Sequence, residues 1–287
     1  MINYFLRFKT KDIDDKALEL ESIQQANKIL FSLFTRYGDT IIDLAIIQEF
    51  IKKYPDKNYL VLCPKQMKPY VNELLPGIKC IAINKRNLFD MLKVNLKLKK
   101  WRPDVGFNPW SNGLDSCYFL TYCKKYLCYK DFDRPSLINH YQVVRRYLQL
   151  PEQEWKMNEL NLKQDYKKIL ICPQSTDLTR AISTSGLDEL ILDLNDKYQN
   201  PEIIIASMDE SHFRDECNHF LFRKLAKSSQ KFIDLVKQSD LIISSDSGPL
   251  HIALAMKKDV LVFFCTTSPE VVVKSGSFLK IYNKFNA

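Results

Sequence analysis

The sequence predicts an α/β protein folded as two domains of parallel sheet. Three observations carry that prediction. At 287 residues the chain is long for a single hydrophobic core. Apolar runs of strand length alternate with segments whose apolar residues recur at helical spacing, the pattern of a parallel sheet with helical crossovers. A polar, charged stretch at residues 151–168 interrupts the alternation, which then restarts. The boundary is expected there, with residues 1–150 as one domain, including an extension at 1–27, and residues 151–287 as the other.

In the first half, residues 12–25 are acidic and helix-prone, and residues 28–34 (KILFSLF) read as the first strand. A turn at 35–39 leads into a helix at 40–54, where Ile42, Ala45, Ile46 and Phe50 lie on one face and Pro55 closes the segment. Strands follow at 58–63 and 79–83 around a short helix at 67–74. The helix at 88–100 carries Lys93, Lys97, Lys99 and Lys100. It reads as a solvated face, with a basic wall for an anionic acceptor as the functional alternative. Residues 104–107 read as a strand and 107–113 (FNPWSNG) as a binding-type loop at its end. Residues 118–129 fit no single element, and 137–148 read as an amphipathic helix. Residues 151–168 are expected to link the domains.

The second half reads as a strand at 168–172, a loop at 173–185, a helix at 186–198 and a strand at 202–207. A helical segment at 211–223 and a short helix at 232–238 are expected next. The densest stretch follows, FIDLVKQSDLIISSDSGPLHIALAMKKDVLVFFC, a strand, a turn, a helix and a second buried strand. In its turn Ser247 or Gly248 suits a helix cap and Pro249 an early helical position, since its missing N–H has no partner there. The N–H groups beyond it and the positive end of the helix dipole suit an anion such as a diphosphate. His251 lies in the first turn, as a donor to a phosphate oxygen or, protonated, as a stabiliser of developing charge. Such turns also have a purely structural use in any parallel sheet.

Composition narrows the function. Apolar content of 46% and charge of 26% describe an ordinary globular protein. No apolar run has bilayer-spanning length, and the start MINYFLRFKTKDIDD acquires charge too early for a secretory signal, so the chain is expected to stay in the cytosol. The eight cysteines form no C-x-x-C pair and no zinc pattern, which favours reduced, mostly buried thiols and no metal site. A net charge of +8 points to an acidic partner: nucleic acid, an anionic membrane face or a phosphorylated substrate. No arginine-rich arm or aromatic RNA-binding signature is present, which demotes nucleic acid.

Two more turns carry candidate residues. Gly38 and Asp39 follow the first strand, where the glycine allows a tight turn and the carboxylate either caps the next helix or projects above the strand ends as a general base. The loop Cys172-Pro173-Gln174-Ser175-Thr176-Asp177-Leu178-Thr179-Arg180 is rich in hydroxyls and ends in a cation, as a phosphate-facing loop would. Ser175, Thr176 and Arg180 are its candidates. Asp246, Ser247, Gly248 and His251 are those of the later turn, Asp246 to orient a sugar or stiffen the turn.

The string D-S-G-P-x-H-x-A, with F-x-D-L-x-x-x-S-D-L-I-I ahead of it, resembles the carboxyl-terminal signature of the glycosyltransferase family 9 heptosyltransferases. The segment R-Y-G-D-T-I-I-D-L-A-I resembles the family's amino-terminal G-D-x-[LI] motif. The resemblance spans roughly residues 28–270 and implies two Rossmann-like domains facing across a cleft, the GT-B arrangement. It implies Asp39 as the base that activates the acceptor hydroxyl, in an inverting reaction with no required metal or other cofactor. The donor implied is a nucleotide-sugar such as ADP-heptose. The acceptor implied is an anionic glycolipid, the lipopolysaccharide or lipooligosaccharide core, met by a cytoplasmic or peripheral protein in transient contact with an anionic membrane surface. Departures from the family pattern are Ala45 where a proline is usual, Arg180 in place of lysine, Ile182-Ser183 in place of Trp-Pro, and no glycine-rich turn at Met208-Asp209-Glu210. They leave open a transferase or epimerase using another nucleotide-sugar, and a binding module that retains the fold without turnover.

Overall fold

A computed structural model describes residues 20–108, 114–128, 139–221 and 226–282. They form two compact units, divided between Glu152 and Gln153. The tip of the loop expected at 107–113, residue 129 at the end of the unassigned stretch, the first residues of the helix expected at 137–148 and most of the extension at 1–27 lie outside the described residues.

The first unit opens with α1 (Leu20–Gln25) and β1 (Lys28–Ser32), then α2 (Tyr37–Lys53), β2 (Asn58–Pro64), α3 (Lys68–Leu74) and β3 (Lys79–Ile83). It continues with α4 (Leu88–Trp101), β4 (Val105–Asn108), α5 (Leu114–Leu120), β5 (Lys125–Cys128) and α6 (His140–Tyr147). The five strands are all parallel, in the order β3-β2-β1-β4-β5. The direction of winding reverses between β1 and β4, so the loops leaving those neighbours depart to opposite faces and open a crevice at their carboxyl ends. Phe31 on β1 stacks on Tyr59 and Phe107 of the flanking strands, with Phe50 of α2 edge-on at 5.8 Å.

The second unit contains β6 (Asn158–Glu159), β7 (Lys168–Cys172), α7 (Thr184–Tyr198), β8 (Glu202–Ser207), β9 (Asn218–Leu221) and α8 (Ala226–Gln238). It ends with β10 (Leu241–Ser245), α9 (Gly248–Ala255), β11 (Asp259–Phe263), α10 (Pro269–Val272) and β12 (Phe278–Ile281). Its seven strands run in the order β6-β12-β11-β10-β7-β8-β9, and the reversal falls between β7 and β10. Burial on both faces explains the consecutive apolar residues in KILIC, LIISS and DVLVF.

Four expectations are corrected. The helix expected from residue 40 starts at Tyr37, its first main-chain bond running from the Thr40 N–H to the Arg36 carbonyl at 3.0 Å, with no side-chain cap. Gly38 therefore lies inside the first helical turn, not in a tight turn. The segment expected to be helical at 211–223 contains β9, held by Ile204↔Asn218 pairing and by Phe213 stacked 4.3 Å from His219. The presumed linker is built into the second unit. Trp155 donates to the Val273 carbonyl at 3.1 Å, Asn158 pairs with Phe278, and buried Tyr166 donates to Asp259 at 2.8 Å. Among the described residues six cysteines are free, whereas Cys117 is disulfide-bonded. Among the described residues no helix is long and apolar enough to cross a membrane.

Gly106 on β4 sits under α5 without room for a side chain. A Cβ there would stand 2.4 Å from the Cys123 sulfur and 2.8 Å from a Leu120 methyl. Gly106→Ala is expected to destabilise the first unit by about 1–3 kcal/mol, the usual cost of overpacking, read as a lowered urea midpoint at unchanged slope.

Candidate functional site

At the reversal point of the second sheet, the loop after β7 and the turn after β10 are tied together. Ser245 donates its hydroxyl to the Gln174 carbonyl at 3.0 Å, and buried Ser175 donates to the Asp246 carbonyl at 3.4 Å. Arg180, at the end of a short 3₁₀ turn, reaches across to Asp246, its Nη1 3.2 Å from Oδ2, while its Nε lies 3.4 Å from Asp177. Asp246 is only 3% exposed, and the guanidinium pairs with it there. Arg180 remains 31% exposed and has N–H groups left over for an incoming ligand.

Ser247 occupies the cap position of α9, yet its side chain does not cap the helix. The hydroxyl turns back to the Ser245 carbonyl at 3.3 Å. No side-chain oxygen of the cap competes for the first-turn N–H groups, which begin at Gly248 and gain from the dipole of an eight-residue helix. Two carboxylates share one guanidinium here, so the main-chain donors are the principal attraction for an anion. Thr176 stands apart: it is exposed and shows no side-chain hydrogen bond among the described residues.

His251 is buried, and its pKa is pushed down to about 4, chiefly by loss of solvent and in spite of the nearby Asp246 charge. At neutral pH it is a neutral donor or acceptor, which removes the protonated role entertained from sequence. Gln174 was not recognised in the sequence. Its side-chain oxygen accepts from the Met208 N–H at 2.6 Å and joins the ends of β7 and β8.

At the reversal point of the first sheet, Asp39 is the third residue of α2, 26% exposed by its side chain, close to the positive end of the helix. Its carboxylate lies 3.9 Å from Nδ1 of buried His140, the first residue of α6. Arg145, further along α6, forms an ion pair with Glu49 of α2 and donates to the Pro151 carbonyl at 2.9 Å, which fixes α6 against α2. One turn beyond Asp39 lies Asp43, fully buried and without a hydrogen-bond partner. Burial, and secondly the charge on Asp39, hold the Asp43 carboxyl well above the usual range, which favours its protonated form. Neither Asp43 nor His140 was read as part of a site. A pair of acids spaced i, i+4 was the available signal for Asp43; for His140, whose partner is distant in sequence, there was none.

Two pH dependences follow. Asp43 holds its proton in the folded chain and loses it near pH 4 when unfolded, so it costs stability progressively as pH rises above about 4. Asp43→Asn is expected to melt higher than the native protein at pH 7.5, the gap closing toward pH 4. His251 works in the opposite sense. The unfolded chain takes up a proton below about pH 6.5 and the folded chain does not until about 4. Its contribution is complete above the first value and is lost as pH falls to the second. His251→Gln should therefore flatten this acid limb in a series of thermal melts, and an unchanged limb would refute the assignment.

Residues 141–276 match the family model of glycosyltransferase family 9 (heptosyltransferase). No curated protein matches the chain by sequence. Among solved structures, the chain is similar to E. coli ADP-heptose lps heptosyltransferase II, with a TM-score of 0.68 at 14% identity over 89% of this chain and 90% of that one. It is also similar to E. coli heptosyltransferase WaaC with ADP, with a TM-score of 0.61 at 8% identity over 89% and 93%. A glycosyl transferase family 9 structure from Veillonella parvula gives 0.62 at 12% identity over 89% and 86%. The two parallel sheets, wound in the same sense, are those of the GT-B fold of these structures.

Proposed function

Residues 141–276 match the model of glycosyltransferase family 9, and we propose that the chain is a member of that family that moves a heptose or related sugar from an ADP-sugar to a lipopolysaccharide or lipooligosaccharide core acceptor. The observation that carries this reading is the second reversal point, where the Arg180–Asp246 pair braces an uncapped helix start. That start supplies N–H donors for a diphosphate, and Asp246 and the remaining guanidinium N–H groups supply partners for sugar hydroxyls.

In the reaction, Asp39 takes the proton of the acceptor hydroxyl as its oxygen attacks the anomeric carbon. The bond to the nucleoside diphosphate breaks on the opposite face, which inverts the configuration. The leaving diphosphate carries away the bonding pair, and its charge is met by the Ser247 and Gly248 main chain, by Arg180 and by neutral His251. Asp43 favours this division of labour. Of two acids on one helix face, one is kept neutral by burial and the more exposed one is left to act as base. His140 beside Asp39 orients that carboxylate. No metal takes part in this scheme. The protein works at the cytoplasmic face of the membrane, where a phosphorylated acceptor suits its net charge of +8.

The test is incubation with ADP-heptose and heptose-deficient lipid acceptor, with products weighed by mass spectrometry. A mass gain of one heptose that survives a chelator is expected. Asp39→Asn should lower the rate by about 10²–10⁴-fold, the usual worth of a general base, while thermal stabilisation by ADP is retained. Full activity in that variant would overturn the assigned base. Arg180 favours a second reading, a different nucleotide-sugar, because a planar guanidinium presents its donors differently from an ammonium. Thermal shifts with ADP-, UDP- and GDP-sugars separate the two readings.

A further inference from the structure

Helix α4 packs on the first unit through Met91, Val94 and Leu98, all buried. On its other side four large apolar residues face solvent: Leu88 at 57%, Phe89 at 74%, Leu92 at 50% and Leu96 at 69% exposure. At 3.6 residues per turn they fall within an arc of about 100°, away from the buried stripe. Lys93, Lys97 and Lys100 border one edge of that arc, and Lys99 lies within it near the end of the helix; all four are exposed. The one acid of the helix, Asp90, is already engaged by Lys65 at 3.0 Å and by the Asn84 N–H. This face is therefore apolar and wholly basic.

We propose that the Leu88–Phe89–Leu92–Leu96 face of α4 docks the protein on an anionic lipid bilayer. An interfacial helix buries its apolar side among acyl chains while long lysine side chains reach up to the headgroups. Charge decides between this occupant and a second copy of the chain. Two such faces brought together would set lysine against lysine, whereas anionic headgroups are complementary to all four. The proposal rests on the reading of the acceptor as a membrane lipid for its purpose, since a docked protein meets that acceptor in two dimensions. Its test does not rest on that reading.

The test is flotation of the full-length protein with phosphatidylcholine vesicles that contain or lack phosphatidylglycerol, with neither sugar donor nor acceptor present. The native protein should float with the anionic vesicles, less so as salt is raised, and remain largely unbound with the neutral ones. Phe89→Ser with Leu96→Ser should weaken binding at least about tenfold, since both apolar contacts are lost. Lys93→Glu with Lys97→Glu should abolish the preference for anionic lipid. Both pairs are exposed, so unchanged melting temperatures are expected and confirm that the fold is intact. Native protein that ignores anionic vesicles, or a Phe89/Leu96 variant that floats as well as native, overturns the proposal. So does a native dimer on size exclusion that the Phe89/Leu96 variant converts to monomer, because the face would then be covered by a second copy. Loss of vesicle binding leaves transfer to a detergent-solubilised acceptor intact, and absence of transfer leaves the flotation result standing, so the two readings fail separately.

Discussion

The second unit's site depends on one ion pair. Asp246 sits at the end of a strand buried on both faces, at 3% exposure, and a carboxylate in that position is tolerated only when its charge is met. Arg180 meets it from the neighbouring loop, and that contact also sets the distance between the two loops that flank the helix start. The serines reinforce the same geometry through main-chain carbonyls instead of occupying the first-turn donors of α9. For the proposed ligand, the donors would already be in place. Little conformational freedom has to be lost when it binds.

The first unit solves a different problem with two acids on one helix. Asp39 and Asp43 are a single turn apart, and their environments differ in solvent access. Burial favours the protonated form of Asp43, and the more open Asp39 faces His140. The ion pair between Glu49 and Arg145 clamps the two helices that carry Asp39 and His140, so the packing of α6 on α2 helps to hold the histidine. Unfavourable burial at Asp43 is a cost the fold carries next to a proposed reactive group, a common association in active sites.

Most of the architecture was legible because central strands of a parallel sheet read as unbroken apolar runs. KILFS, KILIC and LIISS are readable for that reason. Edge elements were misread for the complementary reason. The strand NHFL is half polar and looks helical in isolation, and β6 is two residues long within charged sequence. The start of α2 was misplaced because Arg36 offers no side-chain cap to mark it. The candidate residues at both reversal points could be picked out in the sequence because strand ends followed by Asp, Ser and Gly carry their own local signal. The Arg180–Asp246 contact, the burial of Asp43 and the approach of His140 were not, because each is created by tertiary packing between segments far apart in sequence.

The pairing of β6 with β12 bears on how the molecule is made. Asn158 and Glu159 enter the sheet only against Phe278 and Leu279, so the opening strand of the second unit must wait for its last one. During vectorial synthesis the first unit has all of its strands in hand before the second begins to emerge. The second lacks the β12 and β6 flank of its sheet until translation has passed β12. A ribosome stalled in between would display a finished first unit on an unsealed neighbour, whose bare β11 edge is a template for the wrong strand.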